Sequence, residues 1–216
     1  MRITGVNSTR EAIDEAALDL FARLGYHATS MRAIASAAGV QPASLYHWYP
    51  SKEAILVGMQ DGFMDGLTAE LVAAMDGQPS PAHVLGAAVR AHVDYHGRHQ
   101  RAAFVTDTEI RALEPAAQAK LIARRDAYEK YFEEPIRAGV EAGQLVCSAP
   151  KVATYAILLQ CTGVALWFAP DGPMPLGAVA DLHVELVLGS VGASRELVAE
   201  VVAATRSRDV PPPAAE

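Results

Sequence analysis

Apolar residues recur at the spacing of an α-helix along nearly the whole chain of 216 residues. No stretch keeps the alternation of apolar and polar residues that a half-buried β-strand shows. Near the start, five apolar residues at i, i+4, i+7, i+8 and i+11 share one helix face: Ile13, Ala17, Leu20, Phe21 and Leu24. The periodicity therefore predicts an all-α protein.

Glycine and proline divide the first 50 residues into three predicted helices. Gly25 ends the first, and a second, short helix is predicted over 30–38. Gly39 supplies a left-handed turn, and Pro42 fits the first position of a third helix, because the N–H that proline lacks has no partner there. The third helix ends at Pro50. Two short helices joined by a glycine turn, after a longer one, indicate a helix-turn-helix.

A fourth helix is predicted over about 52–75, and "GQPSP" (77–81) is interpreted as a linker. Five further helical stretches are predicted at about 81–97, 101–113, 116–143, 150–168 and 176–194. The predicted domains are a three-helix DNA-binding head over 1–53, a ligand-binding and dimerisation body over 54–205, and a proline-rich disordered tail over 206–216.

Charge and cysteine content limit the class of protein. The net charge is −7, but residues 1–60 carry five basic and five acidic groups, so the head is neutral and the total does not decide DNA binding. Two cysteines, Cys147 and Cys161, are too few for a disulfide framework. The longest apolar stretch, 155–169, is too short to span a bilayer. We expect a cytoplasmic protein with no membrane partner.

The third helix carries residue types that read DNA. The N-terminal end of a recognition helix reaches base edges, and the rest lies near phosphates. Groups suited to base edges stand at that end: Gln41, Pro42, Ala43 and Ser44. Groups that can donate to phosphate oxygens follow: Tyr46, His47 and Trp48. Further phosphate contacts are expected at helix starts: Thr29, Ser30, Arg32 and Lys52.

The alternative interpretation of the aromatic run is a small aromatic core under the fourth helix. Leu45 and Tyr49, four residues apart, share the face expected to pack inward. Because three consecutive aromatic residues cannot all face inward, the phosphate-contact interpretation is favoured for the other members of the run.

The stretch "GYHATSMRAIASAAGVQPASLYHWYPSKEAIL" (25–56) resembles the DNA-binding head of the TetR family of bacterial transcriptional regulators. It departs from the family pattern at Trp48, where histidine is usual, and at Tyr49, where phenylalanine is usual. The resemblance implies a homodimer that binds a palindromic double-stranded DNA operator and responds to a small-molecule effector.

Three segments of the body resemble a TetR subgroup from actinobacterial lipid and steroid catabolism: "DTEIRAL" (107–113), "IRAGVEAGQL" (136–145) and "LWFAPDGPMP" (166–175). Those regulators are repressors released by acyl-CoA thioesters. Some relatives place arginine just before the tryptophan, where this chain has Leu166. The function expected is a repressor released by an acyl-CoA thioester or lipid catabolite. The alternatives are a drug-responsive regulator of an efflux gene and, from another class, a helical enzyme.

The resemblance also implies that the last two long helices form the dimer interface. Those helices carry apolar residues on more than one face, which a partner subunit can cover: Ile157, Val164, Val179, Leu182, Leu186 and Gly189. The alternative is that they are central helices of a single subunit.

Aromatic residues with a few polar neighbours are typical of effector pockets. The predicted effector residues are Phe104, Tyr128, Phe132, Trp167 and Phe168 with His96, Asp107 and Glu109. The alternative for the aromatic members is plain core packing.

"HVDYHGRH" (92–99) places His92, His96 and His99 at i, i+4 and i+7, a spacing that can hold a metal. Gly97 is expected to end the helix before His99 joins the face, so no metal site is predicted. No nucleophile elbow or other catalytic spacing occurs, so neither an enzyme activity nor a cofactor is predicted.

Glycine recurs every four residues in the fourth helix, at Gly58, Gly62 and Gly66. One interpretation is close packing against a neighbouring helix. The other is that these glycines soften the connector between head and body, since each lowers helix stability by roughly 1 kcal/mol relative to alanine.

Overall fold

The structure, a computed structural model, describes residues 4–206 of the chain and side chains from residue 9 onward. This part is all-α, as predicted, and contains no strand. The α-helices are α1 (Thr4–Leu24), α2 (Met31–Ala37), α3 (Pro42–Trp48), α4 (Lys52–Met75), α5 (Pro81–Arg98), α6 (Gln100–Thr108), α7 (Pro115–Glu141), α8 (Pro150–Thr162), α9 (Val164–Trp167), α10 (Leu176–Ser190) and α11 (Arg195–Arg206). A single 3₁₀ turn, Glu109–Ala112, joins α6 to α7.

The helix-turn-helix forms from local capping interactions, and its prediction is confirmed. The Ser30 hydroxyl accepts the Ala33 N–H at 3.1 Å and caps α2. Gly39 has a φ of 67°, in the left-handed region that glycine enters without strain. Pro42 then opens α3 at its first position.

Within the described residues, the first compact unit comprises residues 4–66 and 99–124. Fully buried apolar side chains from its first four helices form one core: Ile13, Phe21, Ile34, Leu45, Ile55 and Leu56. Burial of each such side chain stabilises the fold by about 1.5–3 kcal/mol. Leu24, the last member of the predicted stripe in α1, is exposed at the end of the helix.

Residues 99–124 join this unit through polar contacts. Arg101 of α6 donates to the Glu15 carboxylate of α1 at 2.6 Å. At the start of α4, the Glu53 carboxylate accepts the Glu114 N–H at 2.7 Å. The domain boundary expected between residues 53 and 54 stays a prediction.

Within the described residues, the second compact unit comprises residues 67–98 and 125–206. Its central helix, α5, is buried on most sides and packs against α8, α10 and α11. At Gly86 an added Cβ would lie 2.3 Å from Cγ1 of Val201, so glycine allows α11 to approach closely. The carboxylate of Asp181 in α10 pairs with Arg90 of α5 and accepts from Arg206 Nε of α11 at 2.5 Å. One carboxylate thus ties three helices together.

Two features of the second half differ from the predicted helices. The stretch predicted over 150–168 is divided at Gly163 into α8 and α9. Helix α11 has no counterpart among the predicted helices; the Ser194 hydroxyl accepts the Leu197 N–H at 3.2 Å where it begins. Most of the predicted tail, 207–216, lies outside the described residues. Over residues 4–206, no helix is both long and apolar enough to cross a bilayer.

Candidate functional site

Helix α3 presents the predicted base-reading residues to solvent. Gln41, Pro42, Ala43 and Ser44 are all exposed, and the Gln41 side chain makes no capping bond to the helix. Leu45 and Tyr49 are buried and hold the opposite face against the head. The Gln41 amide and the Ser44 hydroxyl at the start of α3 are therefore available to bond base edges.

The aromatic run divides between the surface and the core. Tyr46 and His47 are exposed, Trp48 is half-buried, and the rings of His47 and Trp48 meet edge to face with centroids 5.8 Å apart. Within the run, only Tyr49 is buried. This placement disfavours an aromatic core built from the whole run, and it keeps Tyr46 and His47 available as hydrogen-bond donors.

The start of α2 offers fewer phosphate contacts than the sequence indicates. Ser30 and Arg32 are exposed, but Thr29 is only 2% exposed. The Thr29 hydroxyl donates inward to the carbonyls of Gly25 and Leu20, and its N–H donates to the Tyr26 carbonyl at 3.2 Å. Since both donors bond inside the head, the proposed DNA surface excludes Thr29.

Lys52 also has a structural role. Its Nζ donates to the carbonyls of Tyr26 and Thr29, each at 2.6 Å, and lies 4.2 Å from the centroid of the Tyr26 ring. Burial lowers the pKa of Lys52 from its ordinary value, while Glu109 acts in the opposite direction. The ammonium group therefore stabilises the turn between α1 and α2, and the phosphate contact of Lys52 stays a prediction.

A polar link between α1 and the end of α3 is not predicted from the sequence. The Tyr49 hydroxyl donates to Asp14 at 2.6 Å and accepts from Arg10 Nε at 3.2 Å. Burial raises the pKa of Asp14, although the bond from Tyr49 opposes that shift. One feature of the sequence pointed to this link: Tyr49 stands where the TetR family usually has phenylalanine, which has no hydroxyl.

A buried cluster of rings in the second unit contains three predicted effector residues. His96, Tyr128 and Phe132 lie around His92, which stacks on His96 with ring centroids 4.0 Å apart. The two nitrogens of His92 reach the hydroxyls of Tyr128 at 2.9 Å and Thr162 at 3.1 Å. Burial is the main cause that holds the pKa of His92 well below its ordinary value, so the ring is neutral at pH 7.

The other predicted effector residues of the second unit lie at its surface. Trp167 is 57% exposed and stacks on His183, with ring centroids 6.2 Å apart. Phe168 is half-buried, and the neighbouring Leu166 is exposed. His183 itself is buried, and its Nδ1 lies 2.8 Å from the Val179 carbonyl.

Three predicted effector residues belong to the first unit. Phe104 is exposed and Asp107 is half-buried. The Glu109 carboxylate accepts the N–H of Tyr26 at 3.2 Å, just after Gly25 ends α1. This contact gives Glu109 a structural partner in the head, so the proposed effector site excludes it.

The predicted dimer residues separate into a buried and an exposed group. Ile157, Val164 and Val179 are buried within the protomer, as the single-subunit alternative expected for central helices. Leu182, Leu186 and Gly189 are exposed on α10. The described part of α8 adds exposed apolar residues that the sequence pattern does not single out: Val152, Tyr155 and Leu159, which is 80% exposed.

Within the described residues, no group of three or more His, Cys, Asp or Glu side chains is placed to hold a metal ion. His92 and His96 meet by ring stacking, and each has a hydrogen bond through Nδ1. Burial raises the pKa of the Cys161 thiol to about 12. That thiol is protonated at neutral pH and is a poor nucleophile.

Two family models match the chain. The model described as "Bacterial regulatory proteins, tetR family" matches residues 13–59. The model described as "Tetracyclin repressor-like, C-terminal domain" matches residues 78–191, more than half of the chain.

Similar proteins agree with these matches. The HTH-type transcriptional repressor KstR2 of Mycobacterium tuberculosis is 28% identical over 193 residues, which are 88% of this chain and 96% of that protein. A crystal structure of a tetR-family regulatory protein from Rhodococcus RHA1 has a TM-score of 0.81 at 29% identity and covers 86% of this chain and 98% of that one. The structure of AibR in complex with isovaleryl coenzyme A and operator DNA has a TM-score of 0.76 at 25% identity. The match covers 84% of this chain and 98% of the AibR chain.

Proposed function

The chain belongs to the TetR family of bacterial transcriptional regulators, and on this basis we propose that it is a homodimeric repressor released from its operator by a small-molecule effector. The observation that carries the proposal is the exposure of Gln41, Pro42, Ala43 and Ser44 at the start of α3, opposite the buried anchors Leu45 and Tyr49. Regulators of this family are not enzymes.

The proposed base contacts follow from the chemistry of α3. The Gln41 amide can pair bidentately with adenine, and the Ser44 hydroxyl suits either kind of base edge. Exposed Tyr46 and His47, with half-buried Trp48, supply donors for the phosphates on either side. The Ser30 backbone and the Arg32 side chain at the start of α2 lie where a second phosphate contact is expected.

The proposed dimer forms through α8 and α10. These helices expose five large apolar side chains in the described part of the chain: Val152, Tyr155, Leu159, Leu182 and Leu186. An apolar surface of this kind on a water-exposed helix pair favours association, because covering it removes apolar area from water. A second copy of the chain supplies the same surface across a two-fold axis. Two heads related by that axis read an inverted repeat.

The proposed effector site includes the ring cluster around His92. Neutral His92 bonds to two hydroxyl groups, and burial raises the pKa of Tyr128 well above its ordinary value, so both stay uncharged. A site of aromatic rings with a few uncharged polar groups suits an apolar ligand with a polar end. The similar regulator AibR forms a complex with isovaleryl coenzyme A, and we propose an acyl-CoA thioester or a related lipid catabolite for this chain.

Release of DNA follows from differential affinity. An effector shifts a conformational equilibrium only to the extent that it binds one state more tightly than the other. The proposed effector binds the state in which the spacing of the two heads no longer matches successive major grooves. Because bacterial chromosomal DNA lies in the cytoplasm, we propose that this repressor is a cytoplasmic protein.

Native mass spectrometry of the full chain, purified from a lipid-rich expression strain, tests the proposal. The expected result is a dimer that carries a co-purified acyl-CoA mass. A ligand-free dimer that binds no added acyl-CoA contradicts the thioester effector but leaves the dimeric repressor standing. A monomer at micromolar concentration contradicts the dimeric repressor.

A further inference from the structure

The turn that joins α1 to α2, residues 25–29, is held by two charged side chains. The Tyr26 N–H donates to the Glu109 carboxylate at 3.2 Å, and the Tyr26 carbonyl accepts from Lys52 Nζ at 2.6 Å. Lys52 Nζ also donates to the Thr29 carbonyl at 2.6 Å. Hydrogen bonds to ionised groups are roughly twice as strong as those between neutral groups. Both backbone groups of Tyr26 are therefore fixed by charged partners.

Glu109 reaches this turn from outside the helix-turn-helix. It lies in the 3₁₀ turn after α6, 83 residues beyond Tyr26, yet within the same compact unit as the head. An added Cβ at Gly25 would lie 3.7 Å from Glu109 Oε1, so the carboxylate packs directly against the turn. Its charge also acts on Lys52, because burial lowers the pKa of Lys52 and Glu109 opposes that shift. The two charged groups thus act on the turn and on each other.

The turn leads directly into α2, which carries an exposed cation. The Ser30 hydroxyl caps α2, and Arg32 follows two residues later with its side chain exposed. Because α2 begins immediately after the turn, the backbone conformation of the turn sets where the Arg32 side chain projects. A cation on a fixed backbone loses less conformational freedom when it contacts a phosphate than a cation on a mobile backbone does.

We propose that Glu109 is a positioning residue for DNA binding: its bond to the Tyr26 N–H holds the turn that places Arg32 against a DNA phosphate. The inference rests on the proposed function, in that Arg32 contacts a phosphate of the bound DNA. Glu109 itself does not touch DNA in this account. A residue that the sequence predicts for the effector site thereby takes part in operator binding.

A double-mutant cycle tests the inference. Anisotropy of a labelled random-sequence duplex of about 30 base pairs measures affinity and its salt slope, since phosphate contacts carry no sequence information. Arg32→Ala is expected to weaken binding about fivefold or more and to reduce the salt slope by about one per head. Glu109→Ala is expected to weaken binding in the same way. In Arg32→Ala protein, the added Glu109→Ala change is expected to cost less than about twofold, because the contact it positions is already gone.

Two further variants separate positioning from general stability, with the fold of each confirmed by circular dichroism. Glu109→Gln keeps an oxygen that accepts the Tyr26 N–H, so it is expected to bind DNA within about twofold of wild type. Glu15→Ala is the matched control. The Glu15 carboxylate of α1 also joins the head to α6, but it does so by accepting from Arg101 at 2.6 Å. Its loss is expected to leave DNA affinity unchanged.

Each outcome decides a separate statement. The inference is overturned, and DNA binding by the head stands, if the losses of Arg32→Ala and Glu109→Ala add in full or if Glu109→Ala binds like wild type. A loss in Glu15→Ala or Glu109→Gln equal to that in Glu109→Ala also overturns it. If wild type binds no DNA, or if Arg32→Ala binds like wild type, the corresponding statement of the proposed function fails, and the inference fails with it.

Discussion

The hydroxyl of Tyr49 donates a hydrogen bond of 2.6 Å to the carboxylate of Asp14, although 35 residues separate them in the chain. Tyr49 directly follows α3 as its C-cap residue, and Asp14 lies in α1. Arg10 Nε donates to the same hydroxyl at 3.2 Å. This link fixes the C-terminal end of the recognition helix against its supporting helix, so it bears on DNA binding without itself touching DNA.

Removal of this hydroxyl in Tyr49→Phe is expected to lower the free energy of unfolding by about 1 kcal/mol. The ring still fills its place in the core, but Asp14 loses a donor. Thermal unfolding of the full chain, with Tyr46→Phe as the control on the exposed face of α3, measures the loss. Equal stability of the two variants contradicts a stabilising role for the bond.

Gln41→Ala is expected to relax base preference at one position of each half-site. The amide is exposed at the start of α3 and has no capping bond to give up. Loss of a bidentate contact costs about 1–3 kcal/mol on the preferred site and little on unrelated DNA. Fluorescence anisotropy with the operator, its single-base variants and unrelated DNA measures the loss of affinity on each. A uniform loss over all sequences contradicts a base contact and indicates a phosphate contact.

Lys52→Ala is expected to destabilise the head. The variant loses two hydrogen bonds to the carbonyls of Tyr26 and Thr29. A charged donor contributes about 1.5–3 kcal/mol per bond when well buried, and the half-buried position of Lys52 reduces that to about 1–2 kcal/mol in total. Urea denaturation measures the change, with exposed Lys130→Ala as the control. Unchanged stability with weakened DNA binding restores the phosphate-contact interpretation.

Leu159→Glu is expected to dissociate the proposed dimer. This side chain is 80% exposed on α8, so a carboxylate there is tolerated in the monomer. At a subunit interface the same carboxylate loses its water, at a cost of about 2–4 kcal/mol. Analytical ultracentrifugation measures the dimer constant, and Ile122→Glu on α7 is the control, since Ile122 is also exposed. Two variants that dimerise like wild type contradict an interface on α8.

Gly62→Ala tests the soft-connector interpretation of α4. An added Cβ at Gly62 meets nothing within 4 Å, so close packing does not explain this glycine. Alanine is expected to stabilise the helix by roughly 1 kcal/mol. Operator affinity without effector is expected to stay the same, while a higher effector concentration is needed for release. Anisotropy measures release of the operator. If the variant releases it at the same effector concentration as wild type, the soft-connector interpretation is rejected.

The sequence predicts the head well because its signals are local. The turn requires a left-handed residue, which Gly39 supplies. Pro42 favours a helix start at its own position, and Ser30 caps the helix that directly follows it. Contacts between distant residues carry no such signal. The sequence predicts an effector role for Glu109, but its partner in the structure, Tyr26, lies 83 residues earlier.

The later helices illustrate a second limit. Where a helix is apolar on two faces, periodicity finds the helix but cannot tell which face packs inside the protomer. Ile157 and Leu159 are two residues apart in α8, and one is buried while the other is exposed. The periodicity alone does not show the break at Gly163, whereas α11 has a local signal that was missed, the Ser194 cap followed by apolar residues at helical spacing.

Selection of DNA from a random-sequence pool by the chain tests whether a dimer reads an inverted repeat with α3. The expected result is enrichment of an inverted repeat whose half-sites lie one turn of DNA, or a whole number of turns, apart. Gln41→Ala is expected to enrich the same repeat with one base position relaxed in each half. A pool without enrichment, or a single half-site without symmetry, contradicts a dimeric repressor that reads its operator with α3.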